Sequence, residues 1–439
     1  MPDTTPELQV YLVGGAVRDR LLGLPVQERD WVVVGATPED MIARGFRPVG
    51  KDFPVFLHPE TGEEYALART ERKTGHGYGG FTFHTGPEVT LEEDLRRRDL
   101  TINAMAMTPS GELIDPYGGE EDLRQGLLRH VSPAFAEDPL RILRVARFAA
   151  RFAKWGFRIS HGTYALMKKM VREGEVDYLT PERVWKETEK ALGEDRPAKY
   201  FEVLHRVGAL ARLFPELEAL FGIPQPAHAH PEIDTGVHCL LALDAAARLT
   251  PERTVRFAAL VHDLGKGTTP QDQLPRHLGH EERGVTLLHR MCDRLKIPNA
   301  YRELAERVVR WHGLAHRALE LRPATLVDLF DHLDAWRRPQ LLEGFLLACE
   351  ADARGRTGHA QDPWPQGDWL RRAYAEAAKI QGGAFARAGY RGAEIRAKVR
   401  EARIRALARL RRSASSQAQQ PDDQDQQEQD PGEQDQGPG

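Results

Sequence analysis

The chain has 439 residues, of which 41% are apolar, and its formal net charge is −4. This length is too great for one compact core, so we expect two to four domains. No run approaches the ~20 apolar residues of a membrane helix, and the N-terminus MPDTTPELQ lacks the basic and apolar regions of a signal peptide. These features predict a cytoplasmic protein without membrane contact.

The C-terminal segment 413–439 is a low-complexity stretch with seven of the chain's 65 acidic residues and no basic residue. The remaining chain holds 58 acidic against 61 basic residues, a net charge of +3, which is compatible with RNA binding but not diagnostic of it. The segment has too little apolar surface to fold, so we predict disorder. Cys239, Cys292 and Cys349 lack metal-binding spacing, which predicts reduced thiols.

The first recognisable unit is a strand–helix–strand pattern. Apolar runs at residues 11–13 and 31–34 predict two strands, with a Gly-Gly turn and a short helix between them. Gly14 and Gly15 leave backbone N–H groups accessible at the helix start, which suits a phosphate group, and Arg18 follows in the first turn. Alone, such a turn is more often structural than functional.

Two carboxylates at the start of the second strand strengthen the functional interpretation. Glu28 and Asp30 are two residues apart, so on a strand they share a face and repel each other unless a cation lies between them. A hard divalent cation with oxygen ligands is the natural candidate. A phosphate site beside metal-binding carboxylates indicates nucleotidyl or phosphoryl transfer, with Glu64 and Glu71 as alternatives for a third carboxylate.

Further along the chain, cations recur at helical spacing. In the triplet Arg97-Arg98-Asp99, Arg98 is suited to a triphosphate through charge-assisted hydrogen bonds. The segment 137–158 is predicted to form one helix with six cations on one face, against which anions must lie. These cations are Arg141, Arg144, Arg147, Arg151, Lys154 and Arg158.

A second set of metal-binding residues follows. His238, the adjacent pair His262 and Asp263, and the distant Asp352 combine imidazoles with carboxylates, which suits a transition metal or Mg²⁺. Such a site holds a metal-activated water for phosphoester hydrolysis. His280 and His312 are either extra ligands or core histidines, and Lys266 is placed to meet a substrate phosphate.

The organisation of the chain changes near residue 130, because strand signals dominate before it and helical periodicity dominates after it. The last helical stretch, 391–412, is strongly basic and is either an RNA-binding helix or a surface helix. We predict five segments, namely a head at 8–130, a helical neck at 131–228, a metal-binding helical domain at 229–336, a helical RNA-binding end at 337–412 and the acidic tail at 413–439.

These motifs resemble known families. The GGAVRD segment with its carboxylate-x-Asp strand resembles the DNA polymerase β-like nucleotidyltransferases. The longer pattern resembles the class II tRNA nucleotidyltransferases, or CCA-adding enzymes, of the bacterial type that carries an HD domain. The resemblance covers roughly residues 8–410 and rests on the motifs KDFPVFLHP (51–59), EEYALARTERK (63–73), RRDLTINAMA (97–106), IDPYGG (114–119), EDPLRILRVARFAARF (137–152), TPERVWKE (180–187), HPEIDTGVH (230–238) and VHDLGKG (261–267).

The resemblance implies an α+β protein, with a nucleotidyltransferase α/β head followed by an all-helical body that includes an HD domain. It implies Mg²⁺-dependent addition of CCA to tRNA from CTP and ATP, with contacts to the acceptor stem, T arm and 3′ end by a monomer or homodimer. Asp99 resembles a residue near the ribose, and Asp138 with Arg141 resembles a protein template that reads cytosine and adenine. Arg144 and Arg147 resemble further nucleotide-binding residues.

For the HD domain, the resemblance implies hydrolysis of 2′,3′-cyclic phosphates and 2′-nucleotides, with phosphatase action and Ni²⁺ or another divalent metal. Glu28 departs from the family pattern, which has Asp at both carboxylate positions. If Glu28 has cost the head its catalysis, the chain is instead an RNA-binding HD hydrolase or an RNA chaperone. A poly(A) polymerase, which shares the head motifs, and family members that add only CC or only A stay open as further alternatives.

Overall fold

The computed structural model describes residues 8–49, 55–73, 81–227 and 230–417, and the side chains of these residues except 71–73, 81–83 and 415–417. The described residues divide into two compact units. The first comprises 8–310 and Leu347–Asp362, and the second comprises Trp311–Leu346 and 363–417. Residues 51–54 of the KDFPVFLHP motif and residues 418–439 of the acidic tail lie outside the described residues.

The strands concentrate at the N-terminal end of the first unit. They are β1 Gln9–Val13, β2 Asp30–Val34, β3 Arg47–Val49, β4 Val55–Leu57, β5 Glu64–Leu67, β6 Arg69–Lys73, β7 Phe81–Thr85, β8 Ala106–Met107, β9 Leu113–Ile114, β10 Leu127–Leu128 and β11 Arg158–Ile159. Among the described residues, seven of them form one sheet in the order β3-β4-β5-β2-β1-β8-β9, in which β2 and β5 run parallel. The hairpin β6–β7 and the short parallel pair β10–β11 lie outside it.

Successive side chains of β2 point to opposite faces of the sheet and pack into two different hydrophobic cores. Val32 packs with Val13 and Leu95 on one face of the sheet, while Val33 packs with Met41 and Phe56 on the other. The helices beside this sheet are α1 Gly15–Leu21, α2 Pro38–Ala43, α3 Leu91–Arg96 and α4 Gly119–Gln125. Because Asp30 precedes Val32 by two residues, it lies on the same side of the sheet as α3.

Two of these helices begin with reciprocal caps. Thr90 accepts a hydrogen bond from the Glu93 N–H, and the Glu93 carboxylate accepts from the Thr90 N–H. Thr37 and Asp40 form the same arrangement at α2. Each of these capping boxes supplies acceptors for backbone N–H groups that have no partner within the first helical turn, and it fixes the residue at which the helix starts.

The rest of the first unit is helical. Its helices are α5 Leu140–Arg151, α6 His161–Arg172, α7 Pro181–Leu192, α8 Ala198–Val207, α9 Ala209–Leu213, α10 Pro215–Glu218, α11 Thr235–Leu249, α12 Arg253–Val261, α13 His280–Leu295 and the first part of α14 Asn299–His316. The second unit holds the end of α14, α15 Pro323–His332, α17 Pro365–Ala378, α18 Gly382–Arg387 and α19 Ala393–Gln417, and α16 Pro339–Arg354 passes from the second unit into the first. None of the described helices combines the length and hydrophobicity needed to cross a membrane.

The predicted α+β architecture is confirmed, because strands give way to helices after the head. The prediction of one helix over 137–158 is wrong. Residues Pro133–Glu137 form a 3₁₀ turn, α5 ends at Arg151, and Gly156 adopts a left-handed conformation with φ 74°. Lys154 therefore lies in a 3₁₀ turn and Arg158 in β11, so neither extends the cationic face of α5.

The last helix also runs further than predicted. α19 continues to Gln417, five residues into the segment predicted to be the disordered tail. Within the second unit, Arg403 stacks over the ring of Trp336 at 3.7 Å, and Arg400 donates to the Asp328 carboxylate. These contacts attach the basic helix to α15 and the loop that follows it, so part of its charge serves packing.

Candidate active sites

The residues predicted to bind a nucleotide and its metal line one cleft of about 800 Å³ in the first unit. Among the described residues of its lining, ten are basic and five are acidic. The predicted residues are Gly15, Arg18, Glu28, Asp30, Arg98, Asp99, Asp138, Arg141, Arg144 and Arg147. An excess of cations around a small group of carboxylates suits a polyanionic ligand with an associated metal.

The acidic end of the cleft forms where β2 begins. Asp30 lies in register with Glu64 on the parallel neighbour β5, and Glu28 precedes Asp30 by two residues. Partial desolvation raises the pKa of Asp30, Arg98 lowers it, and the nearby charge of Glu28 raises it. The repulsion between Glu28 and Asp30 and their all-oxygen donor set fit a hard divalent cation. Of the two alternatives for a third carboxylate, Glu64 lies in the cleft, whereas the side chain of Glu71 lies outside the described side chains.

The Gly-Gly turn requires glycine for a specific reason. Gly14 has φ 69° at the start of α1, and a Cβ there would come within 3.0 Å of an Arg98 guanidinium nitrogen. Arg98 is in turn held by Asp94, whose carboxylate accepts from both Arg97 and Arg98 at 2.8 and 3.1 Å. The turn thus brings the backbone close to a guanidinium that is already oriented.

Arg18 lies deeper than the sequence suggested. Its guanidinium is only 3% exposed, donates to the Asn103 side chain at 2.5 Å and lies 5.2 Å from the centre of the Phe148 ring. Burial lowers the pKa of Arg18, and the adjacent Asp19 counteracts this by raising it. Arg18 therefore connects the start of α1 to the floor of the cleft.

Asp99 is a buried carboxylate that accepts three hydrogen bonds. It accepts from the Leu100 N–H at 2.8 Å, from Asn103 at 3.0 Å and from Arg144 Nε at 2.7 Å. Burial by itself would raise the pKa of Asp99, but the charge of Arg144 and these hydrogen bonds hold it well below its usual range. Asp99 is therefore ionised and fixes the direction in which Arg144 faces the cleft.

The predicted base-reading pair is held by separate partners. Arg141 donates to the backbone carbonyls of Ala134 and Arg97 at 2.8 and 2.5 Å. Asp138 accepts instead from Arg183 on α7 at 2.9 Å. The structure therefore places both residues in the cleft lining and couples Asp138 to a cation that sequence reasoning missed.

Arg147 is also anchored from α7. It donates to Glu187 at 2.8 Å and lies over the Phe148 ring at 4.6 Å. The anchoring residues Asp94, Asn103, Arg183 and Glu187 were not predicted. Only the Asp94 interaction had a local signal, since residues three and four apart face each other on a helix.

The four residues of the second predicted site come from three separate parts of the chain. His238 lies on α11, His262 and Asp263 follow α12, and Asp352 lies on α16. His238 Nε2 is 2.9 Å from Asp352 Oδ1, while His262 Nε2 is 3.1 Å from Asp263 Oδ2 and 3.6 Å from Asp352 Oδ1. All four side chains are nearly inaccessible to solvent.

This donor set fits a divalent metal. Ligand atoms of His238, His262 and Asp263 all lie within 4.8 Å of one another. Two imidazoles with carboxylates suit a first-row transition metal, and buried carboxylates need a compensating cation. Burial lowers the pKa of His238, but hydrogen bonds to Asp352 and Glu232 raise it to about 9, so proton and metal compete for this ring.

Two further predicted residues lie at the same place. Lys266 is 2.7 Å from the Asp263 carboxylate and donates to the Gln225 side chain at 2.6 Å. His280 Nε2 is 3.5 Å from Asp263 Oδ1. Lys266 thus supplies positive charge next to Asp263 and is held in place by Gln225. His312 lies on α14, in the second unit.

Family models match three parts of the chain. Residues 10–129 match the poly A polymerase head domain, and residues 235–336 match the HD domain. Residues 156–221 match the region described as the probable RNA and SrmB-binding site of polymerase A. The first match contains the carboxylates Glu28 and Asp30 of the cleft, and the second contains His238, His262 and Asp263 but not Asp352.

A full-length relative decides the family. The multifunctional CCA protein of Thioalkalivibrio sulfidiphilus is 63% identical over 404 residues, which cover 92% of this chain and 99% of that protein. The chain belongs to the multifunctional CCA protein family. It is therefore a nucleotidyltransferase, as the carboxylates and arginines of the cleft predicted.

Solved structures share the fold of this multifunctional CCA family member. A structure described as the CCA-adding enzyme, apo form II, has a TM-score of 0.63 at 22% identity and covers 94% of this chain and 92% of its own. The Thermotoga maritima CCA-adding enzyme complexed with tRNA has a TM-score of 0.60 at 22% identity, with the same coverage of both chains. The likeness extends over the head and the helical body together.

Proposed function

We propose that this protein adds C, C and A in turn to the 3′ end of tRNA, using CTP twice and then ATP, in tRNA maturation and repair. In each step the 3′-hydroxyl oxygen bonds to the α-phosphorus, the α–β phosphoanhydride bond breaks, and pyrophosphate leaves while the hydroxyl proton is released. The observation that carries the proposal is a single cleft that combines Asp30, its carboxylate neighbours and a row of arginines. The full-length similarity to a multifunctional CCA protein supports it.

Glu28 and Asp30 are proposed to hold Mg²⁺, with Glu64 as the third carboxylate. When bound, Mg²⁺ would neutralise the triphosphate and activate the 3′-hydroxyl. Gly15 and Arg98 are placed to contact the phosphates, and Arg18 braces the start of α1 against Asn103. Asp99 holds Arg144 toward the nucleotide, with a free carboxylate lone pair for a ribose hydroxyl.

Base selection is assigned to the end of the cleft that holds Asp138 and Arg141. A carboxylate accepts from the exocyclic amine that cytosine and adenine share, and a guanidinium donates to ring nitrogen or carbonyl oxygen. Arg141 is held by two carbonyls and Asp138 by Arg183, so reading a base means exchanging or sharing these hydrogen bonds. Uracil and guanine would leave polar groups unpaired, at a cost of ~1–3 kcal/mol each.

The test is incorporation of labelled CTP and ATP, separately and together, into tRNA that ends before CCA, with Mg²⁺. Addition of C, C and A followed by arrest supports the proposal and shows that Glu28 supports catalysis. Long A tails without C would favour a poly(A) polymerase, whose head-domain model this chain also matches. Binding of tRNA without addition would point to the hydrolase or chaperone alternative.

We further propose that the HD cluster hydrolyses 2′,3′-cyclic phosphates and 2′-nucleotides and acts as a phosphatase, with Ni²⁺ or another divalent metal. His238, His262, Asp263 and Asp352 would hold the metal, whose chemistry is to lower the pKa of a bound water. Lys266 lies beside Asp263, where it would attract the substrate phosphate. Hydrolysis of 2′,3′-cyclic AMP after metal removal and re-addition, compared for Ni²⁺, Mg²⁺ and Co²⁺, tests this assignment.

Contacts to the acceptor stem and T arm are assigned to the helical end, where basic residues line α19. Binding there would follow the shape and backbone of A-form RNA. The cytoplasmic location and the choice between monomer and homodimer remain predictions, which fractionation and sedimentation of the purified full chain would test.

A further inference from the structure

Glu232 is a buried carboxylate beside the HD cluster that the metal-ligand pattern does not include. Its side chain is 3% exposed, and its Oε1 atom lies 2.8 Å from His238 Nδ1 and 3.1 Å from His230 Nδ1. Its other oxygen accepts a hydrogen bond from the Thr357 N–H at 3.1 Å, which ties it to the segment after α16. The carboxylate is thus held from two directions.

The two ring nitrogens of His238 lie close to different carboxylates. Nδ1 faces Glu232 and Nε2 faces Asp352 at 2.9 Å. A neutral imidazole carries one proton, so the nitrogen beside the stronger acceptor keeps the N–H and the other offers a lone pair. Histidine ligands of metals commonly donate their second N–H to a carboxylate, which fixes the tautomer and the ring orientation.

We propose that Glu232 is a positioning residue of the HD site, which accepts the Nδ1–H of His238 and thereby presents Nε2 to the metal. The inference rests on the proposed metal-binding role of the HD cluster. It adds a residue that acts through His238 and does not itself touch the metal.

The backbone supports this role. Ile233, the next residue, has φ 62°, a conformation that a β-branched residue rarely adopts, and its side chain is 49% exposed. Packing of Ile233 therefore does not account for the strained turn. The turn lets Glu232 face His238 while Asp234 caps α11 by accepting from the Val237 N–H at 2.9 Å. Strain of this kind is retained where the surrounding structure over-determines a functional geometry.

In the competing interpretation, Glu232 binds a metal ion directly. Ligand atoms of His230, Glu232 and His238 also lie within 4.8 Å of one another. That arrangement would use Nδ1 of His238, on the side of the ring away from Asp352. One ring would then bridge two metals, which is far less common than a hydrogen-bonded ligand. Metal stoichiometry separates the two interpretations.

The experiment compares the full-length wild type with Glu232→Gln, His238→Ala and the double variant. Co²⁺ is the probe, titrated into metal-free protein and followed by its visible absorption, with hydrolysis of 2′,3′-cyclic AMP measured in parallel. We expect Glu232→Gln to weaken Co²⁺ binding roughly 10–100-fold, to shift the absorption spectrum and to leave CCA addition unchanged. In the double variant, Glu232→Gln should not weaken Co²⁺ binding beyond the effect of His238→Ala alone, because Glu232 acts through the His238 ring.

Glu218→Gln is the matched control, since Glu218 makes the same kind of contact, 2.9 Å to His205 Nδ1, away from the site. It should leave Co²⁺ affinity and spectrum unchanged. Unchanged binding by Glu232→Gln or an additive loss in the double variant would overturn the positioning role. So would a fall from two ions to one at the HD site, counted in an Asp30→Ala background that lacks the proposed transferase metal. Wild-type protein that takes up no Co²⁺ would overturn the HD metal proposal as well, so the two failures are distinguishable.

Discussion

The transferase cleft and the HD cluster both concentrate charged groups, but they differ in solvent exposure and in the sign of the dominant charge. The cleft is open and rich in arginines, and its cations are oriented by carboxylates from other elements, as Asp99 orients Arg144 and Glu187 orients Arg147. The HD cluster is closed and small, with histidines and carboxylates almost inaccessible to solvent. The first arrangement suits a large anionic substrate, and the second suits a small cation. Variants that damage one site and spare the other are therefore the sharpest tests.

The largest expected effect is that of Asp30→Ala. Removing an oxygen ligand beside Glu28 should lower CCA addition by more than about 100-fold, while hydrolysis of 2′,3′-cyclic AMP stays at the wild-type level. Single-turnover addition of CTP measures this. The control is Glu120→Ala, an exposed carboxylate on α4. Retained addition by Asp30→Ala would show that the metal assignment is wrong.

His262→Ala should produce the opposite pattern. Loss of an imidazole from the HD cluster should lower hydrolysis by more than about 100-fold and leave addition intact. Chelation of the wild type should have the same effect on hydrolysis, with recovery when Ni²⁺ is restored. Loss of both activities in the variant would indicate a folding defect and no separation of the two sites.

Asp99→Asn tests whether the buried carboxylate orients Arg144. The charge-assisted bond is worth ~1.5–3 kcal/mol, so addition should fall about 10–100-fold. Folding lowers the pKa of Asp99 from its ordinary 3.8, so its stabilising effect is present above that pH and is lost as the pH falls. Thermal unfolding should show the wild type more stable at pH 6, with a difference that narrows below about pH 4. A difference independent of pH would argue against an ionised Asp99.

Arg141→Ala tests direct contact with the base, and Arg183→Ala tests whether the hydrogen bond from Arg183 to Asp138 supports base selection. If Arg141 contacts the base, its removal should reduce discrimination against UTP by roughly tenfold or more. Loss of Arg183 should act through Asp138 and change discrimination less. Competition between CTP and UTP in one reaction measures both ratios. Unchanged discrimination in Arg141→Ala would remove the protein-template assignment.

Glu28→Asp should have the smallest effect. Asp is the residue that the family resemblance implies at this position, and Mg²⁺ favours near-ideal octahedral geometry, so we expect addition to change by roughly fivefold or less. Titration of Mg²⁺ with both forms measures the change. A rise in rate would show that the longer side chain limits catalysis, whereas a large fall would show that the strand is adapted to Glu.

Sequence reasoning reached the two sites because their chemistry sits in short motifs. One strand–helix–strand unit contains Gly15, Arg18, Glu28 and Asp30. Within such a unit, local periodicity predicts which side chains share a face of the strand or helix. Asp99 and Arg144 are 45 residues apart, and no local pattern predicts their hydrogen bond. Glu232 and the anchoring residues of the cleft were missed for the same reason.

The error over 137–158 has a different origin. Spacing of 3 and 4 residues continues through Lys154 and Arg158, but α5 ends at Arg151, and Gly156, with a positive φ, ends the 3₁₀ turn that follows. A glycine three or four positions beyond the last well-packed turn is a stop signal that charge periodicity conceals. Residues 418–439, predicted to be disordered, lie outside the described part of the chain.

The pairing of Arg144 and Arg147 with carboxylates has a consequence for product release. A guanidinium row without counter-ions would retain pyrophosphate, and the proposed reaction must release that polyanion three times per tRNA. Arg144 is paired with Asp99 and Arg147 with Glu187, so each carboxylate would compete with a bound anion for its arginine. The carboxylates therefore act as resident competitors, which trade some nucleotide affinity for turnover.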